Sequence, residues 1–308
     1  MAPRILVGTV DGLWHLGGPG GSSPEALAGR TVTALAHDGG RTWAIVDGKM
    51  LSVSHDEQAW ETVAPISGAR ATCLAPAAAG LLIGTEEAHL WRLVGGGLEP
   101  LESFEAVENR DAWYTPWGDP ADVRSIAAER HGDVNSRIYV NIHVGGVARS
   151  DDGGQSWTPT VDIEADVHQV IVHPSQPRLV LVAAAVGLGI SRDGGDSWQF
   201  VTRGLHAHYL RAVAISQDVV LVTASTGPRG KRAGLYRRPL GGSADFERCR
   251  QGLPTRFDDN IDTACLAASG PVVAFGTEDG RVFQSRDAGA SWDLLVEDLP
   301  AIRCVIIE

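Results

Sequence analysis

The sequence predicts an all-β chain closed into a seven-bladed β-propeller, and three observations carry that prediction. One eight-residue phrase, Ser-x-Asp-x-Gly-x-Ser-Trp, recurs at 150–157, 191–198 and 285–292. Trp157 and Trp198 lie 41 residues apart, and Trp198 and Trp292 lie 94 apart, one and two blade lengths at the usual ~40–50 residues. The two ends complement each other. Residues 302–307 read as an innermost strand with nothing after it, and 4–9 as a second strand with nothing before it. Joined, they make one blade and leave no sheet edge open at the seam.

The strand signals between these landmarks are short apolar runs punctuated by Gly and Asp turns, with no sustained helical period. Laid onto the repeats, they give blade two at 31–63, blade three at 70–104 and blade four at 123–160. Blade five follows at 167–202, blade six at 210–250 and blade seven at 263–296. Blade one is the composite of 302–307 and 4–28. A second repeat supports this register: VGTVDG from Val7, IGTEEA from Ile83 and FGTEDG from Phe275 each end a second strand. Residues 37–43 imitate the first phrase but lack its leading Ser and come one hairpin too early. Residues 54–60 stand at the right place but are one residue short. The whole chain, 1–308, is expected to form one domain.

In the repeated phrase, Ser and Asp side chains can bond backbone amides and hold a tight turn. Gly154, Gly195 and Gly289 supply the backbone freedom, and the Trp supplies an apolar anchor. Asp152, Asp193 and Asp287 are therefore expected to be structural. The phrase resembles the Asp-box, or BNR, repeat found in sialidases and other glycoside hydrolases, in photosystem assembly factors and in sorting receptors. That resemblance implies a propeller with its boxes on the face away from any site. It specifies fold far better than function. A sialidase-like site would need an arginine triad, which Arg124, Arg211 and Arg303 match in kind, and a Tyr–Glu pair, which no Tyr here supplies on the loop face.

Composition narrows the classes of partner. A net charge of −12 disfavours nucleic acid and anionic membranes. No charged start leads into an apolar run, and no stretch is long enough to span a bilayer, so a cytoplasmic protein is expected. The spacing of Cys73, Cys249, Cys265 and Cys304 fits neither a metal knuckle nor a disulfide framework.

Innermost strands line a propeller's channel, and aligning their apolar runs sets Thr33, Thr72, Arg124, His168, Arg211, Ala264 and Arg303 at one level. Three arginines in one funnel repel each other unless acids or a bound anion sit among them. Two readings stand side by side: a carboxylate or phosphate clamp, or salt bridges to loop acids such as Asp119, Asp122, Asp166, Asp258 and Asp259. The long connector 105–122 brings Trp113, Tyr114 and Trp117 to the same face, and the next loop brings Tyr209. These aromatics and the three arginines are the candidate ligand-binding residues. His143 and His168 are candidate proton carriers. With His206 and His208 they also form a candidate divalent-metal set. His15, His37, His55, His89, His131 and His173 read as surface residues. Three functions remain open: binding or transforming a small anionic or sugar-like molecule by hydrolase- or lyase-type chemistry, holding a protein partner, or metal-dependent chemistry on the axis.

Overall fold

The computed structural model describes residues 3–17, 24–56, 59–129 and 136–308. Seven four-stranded antiparallel sheets form a seven-bladed β-propeller. Blade one takes its innermost strand from Ile302–Ile307, then Ile5–Thr9, Gly12–Leu16 and Pro24–Ala26. Ile5 pairs with Ile307 and Val7 with Val305, so the C-terminal strand closes the ring. Glu308 adds a side-chain latch to blade two, accepting from Thr42 at 3.2 Å and lying 2.8 Å from His37 Nδ1.

Each neighbouring pair of blades shares a cluster of buried apolar side chains. The largest contains Phe275, stacked on Phe283 at 5.0 Å and met edge-on by Trp292 at 5.1 Å. Burying a side chain of this size contributes about 1.5–3 kcal/mol. The Gly-Thr repeat of the second strands also finds its cause here. A Cβ on Gly84 would lie 2.3 Å from Val123 Cγ1 of the next innermost strand, and one on Gly8 would lie 2.9 Å from Val32 Cγ1 of the next blade. Only glycine lets blades approach that closely. The following Thr closes the turn: Thr9 Oγ1 donates to Gly12 O at 3.0 Å, and Thr277 Oγ1 to Arg281 O at 3.1 Å.

Two boundaries differ from the sequence reading. The outer strand of blade three ends at Pro100, and a short helix, Glu102–Glu105, follows. Phe104 in that helix is fully buried against Trp113 and Trp157, a tertiary contact that local pattern does not show. The innermost strand of blade seven, Leu266–Ser269, starts later than 263 because Ala264 adopts a left-handed φ of 66°.

The innermost strands share a feature with consequences for the channel. Strand pairing skips a residue between Val32 and Ala34, Ala71 and Cys73, Val123 and Ser125, and Val167 and Gln169, and skips two, Arg211 and Ala212, between Leu210 and Val213. It skips again opposite Thr9, between Cys304 and Ile302. The skipped positions include Thr33, Thr72, Arg124, His168, Arg211 and Arg303. A bulge twists its strand and re-aims the extra side chain. Side chains from neighbouring blades take up the backbone groups it frees. Ser125 Oγ accepts from Val170 N at 2.9 Å, Gln169 Oε1 accepts from Val213 N at 2.8 Å, and Thr72 Oγ1 donates to Val123 O.

Candidate functional site

Antiparallel order sends the turn between strands one and two, and that between strands three and four, to one end of each blade. The turn between strands two and three, and the exit to the next blade, go to the other. The repeated phrases occupy the first end, and their three hydrogen-bond sets agree. Ser150 Oγ donates to Asp152 Oδ1 and accepts from Gly154 N, at 2.8 and 2.7 Å. Asp152 also accepts from Ser156 N and Ser156 Oγ, at 2.9 and 2.6 Å. Asp193 and Asp287 repeat this with Ser191 and Ser197, and with Ser285 and Ser291. Burial is the largest single influence on the Asp152 carboxylate and raises its pKa, but the bonds from Ser156, Ser150 and Gln155 together outweigh it and bring it down to about 2. The turn also grips the preceding blade: Tyr139 and Arg149 donate to Gly194 O at 3.0 and 2.8 Å. In blade two, Ser54 Oγ donates to Asp56 at 3.2 Å, so the shortened phrase keeps the opening of the same turn. Its residues 57 and 58 lie outside the described residues.

The opposite end opens into the channel, a space of ≈ 530 Å³ lined by Thr33, Thr72, Arg124, Arg211 and Arg303 among others. These are bulged positions, so the strand geometry itself aims them inward. Arg303 is paired with Glu278 at 2.7 Å. Arg211 lies 3.3 Å from Asp262 and over the Tyr209 ring at 5.5 Å. Arg124 differs from both. It makes no ion pair among the described residues, and its Nη1 is shielded from solvent without a hydrogen-bond acceptor. Burial, followed by repulsion from Arg211, lowers its pKa to about 10.

Behind Arg124 sits a cluster set into the wall. Asp166 Oδ2 is 3.4 Å from His168 Nε2, and Oδ1 is 3.8 Å from His143 Nε2. His168 Nδ1 faces the Leu210 carbonyl at 2.5 Å. A carbonyl only accepts, so Nδ1 carries the proton and Nε2 turns to Asp166. Burial, then Arg124, lowers the His143 pKa to about 3, and burial lowers that of His168 as well. Burial raises the Asp166 pKa, but His168, His143 and Arg124 outweigh it and hold it below the usual carboxylate value. The cluster is thus a carboxylate flanked by two buried imidazoles. Asp166 (φ 45°) and Val144 (φ 39°), next to His143, both hold left-handed backbone, which is strained for a β-branched residue such as Val.

The structure gathers some of the expected residues and disperses others. Trp117 meets His143 edge-on at 4.9 Å, and Tyr209 meets His168 at 4.5 Å, so both rings border the cluster. His143 and His168 are 4 % and 0 % exposed and lie within the wall, outside the lining of the channel. Trp113 is turned inward against Phe104 and Arg110, and Tyr114 is exposed on the rim. His206 points away: its Nδ1 meets Tyr236 Oη at 2.7 Å and its Nε2 meets Arg232 O at 2.9 Å. His208 is exposed. The four histidines do not converge, and among the described residues no group of three His, Cys, Asp or Glu side chains is placed to hold a metal ion. His173 is buried rather than on the surface, its Nδ1 accepting from Gln176 N at 3.1 Å. His131 lies outside the described residues. All four cysteines are buried and free.

Of the loop acids expected to neutralise the arginines, Asp119, Asp258 and Asp259 are exposed. Asp122 and Asp262 line the channel. Sequence reasoning did not single out Asp166 as the centre of a cluster or Asp262 as Arg211's partner. The available signal was position: Asp122, Asp166 and Asp262 each stand just ahead of an innermost strand, one or two residues before its bulge or break.

No family model matches this chain, and no curated protein matches it in sequence. Solved structures do. The chain is similar to the WD40 domain of Pan2 from Neurospora crassa, with a TM-score of 0.57, 8 % identity, and 88 % of this chain and 80 % of that one covered. It is also similar to YCF48 bound to a D1 peptide, with a TM-score of 0.48, 12 % identity, and coverage of 96 % and 78 %. At 8 % identity, the likeness to the Pan2 domain is one of fold.

Proposed function

We propose that this propeller binds a small anion at the loop-face mouth of its channel, with Arg124 and Arg211 as the clamp. The three repeated turns are, in this reading, Asp-boxes that brace the blades. The observation that carries the proposal is Arg124: a guanidinium at the mouth of the channel, its Nη1 shielded, beside a second arginine and without an ion-pair partner among the described residues. Such a group is costly unless something anionic meets it. A space of ≈ 530 Å³ falls in the range of small-molecule sites. Asp166, His143 and His168 act as positioning groups that hold the wall against which Arg124 rests.

The experiment is a thermal-shift panel of phosphate, sulfate, acetate and propionate at constant ionic strength. At least one anion is expected to raise the wild-type midpoint and to leave Arg124→Met unmoved. No anion stabilising the wild type, or equal stabilisation of both proteins, would remove the proposal. A second reading, a protein-interaction propeller, draws on a different observation: Trp117 and Tyr114 are 62 % and 41 % exposed on this rim. It predicts that Trp117→Ala weakens capture of a partner while leaving the anion response intact.

A further inference from the structure

The mouth of the channel is not uniformly cationic. Asp122 and Asp262 line the same space as Arg124 and Arg211. Asp122 makes no ion pair among the described residues, and its carboxylate takes one hydrogen bond from the Glu87 backbone, which leaves it further acceptor capacity. Asp262 Oδ1 lies 3.3 Å from Arg211 Nη1, an ion pair without hydrogen-bond geometry, and this shielded oxygen has no hydrogen-bond donor. Thr33, Thr72 and Thr263 fill the remaining wall at this level. All three hydroxyls already donate to backbone: Thr33 Oγ1 to Ile45 O at 3.3 Å, Thr72 Oγ1 to Val123 O, and Thr263 Oγ1 to Arg211 O at 2.9 Å. The unspent capacity is therefore of two kinds: guanidinium donors from Arg124, and carboxylate acceptors from Asp122 and Asp262.

A ligand that uses both must carry a negative head and, within a few ångströms of it, donors of its own. A second negative charge on the ligand would face Asp122 and Asp262, and a bare alkyl tail would leave them desolvated and unpaired. Neutral hydroxyls meet neither objection, since each donates one hydrogen bond to a carboxylate.

Resting on the anion-clamp reading, we infer that the site selects a short monocarboxylate bearing hydroxyl groups, its head on Arg124 and Arg211 and its hydroxyls donating to Asp122 and Asp262. Burial, with Glu86 next, raises the Asp122 pKa, in keeping with a carboxylate that gains from a donor. Hydroxyl recognition by such groups separates otherwise identical ligands because the analogue lacking the hydroxyl strands the acceptor.

The test is a calorimetric titration of the full chain with glycerate and with propionate, equal in length and charge and differing only in hydroxyls. Glycerate is expected to bind about 10-fold or more tightly than propionate, the margin of a charge-assisted hydrogen bond. In Asp122→Asn and Asp262→Asn that margin is expected to shrink severalfold, while propionate affinity holds or rises. Equal binding of the two acids by the wild type would overturn the hydroxyl inference and leave the anion clamp standing. A margin unchanged in both variants would overturn it as well. Binding of neither acid, with no response to phosphate or sulfate, would overturn the clamp itself.

Discussion

The two faces of this propeller are built from the same strands and solve their polar problem in opposite ways. On the repeat-turn face, each Asp is spent on a Ser hydroxyl and on backbone N–H groups within its own turn, three times over with nearly the same distances. On the loop face the Gly-Thr turns recur but the connectors between blades differ, and shielded atoms of Arg124, Asp166, His168 and Asp262 lack hydrogen bonds there, as Trp198 Nε1 does on the other face. Positive-φ residues that are neither Gly nor Asn gather there too, at Val144, Asp166 and Ala264. A self-satisfied, repeated element stabilises. The under-satisfied groups of the loop face are the ones the proposed anion clamp draws on.

Breaking the braced face should cost the most. Trp292→Ala removes a ring packed on Phe275 and is expected to lower stability by about 3–5 kcal/mol in chemical denaturation. Ser150→Ala strands the Gly154 N–H inside the turn and is expected to cost about 1–3 kcal/mol by the same measurement. The loop face should respond through charge instead. His143 has its pKa brought down to about 3 by burial and Arg124, whereas the unfolded chain takes up this proton near the ordinary value of 6.5. Stability is thus full above about 6.5 and is lost as pH falls from there toward 3, with a slope approaching 1.4 kcal/mol per pH unit. His143→Gln should flatten that slope between pH 6 and 4; an unchanged slope would assign the acid sensitivity elsewhere. Arg124→Met should raise ligand-free stability by an amount on the order of 1 kcal/mol, read as a higher melting midpoint, because it removes an unpaired cation beside Arg211. Trp117→Ala, at an exposed rim position, should change stability by less than about 0.5 kcal/mol.

Much of this architecture is legible in the sequence because propellers repeat. Three copies of one phrase and three of Gly-Thr set the register, and that register brought Arg124 and Arg211 to one level from positions 87 residues apart. What the pattern did not show was the bulge. A skipped pairing leaves no trace in residue type, and neither does the Leu210 carbonyl that draws His168 into the wall while Arg124, bulged in the same way, enters the channel. Aromatic content misled for a related reason. Trp113 and Trp117 read alike in the 105–122 connector, and only tertiary packing sends one against Phe104 and the other to the rim. The histidines met the same limit, since proximity in the chain placed His206 near the channel while its ring bonds Tyr236 on an outer strand.

The most direct test of the contrast between the faces is amide chemical-shift mapping during a phosphate titration of the full chain. Saturable shifts should cluster at 122–124, 143–144, 166–168, 209–211 and 262–264, with 150–157, 191–198 and 285–292 silent. Shifts centred on the repeated turns, or spread evenly over the outer strands, would contradict the assignment of the loop face as the binding end.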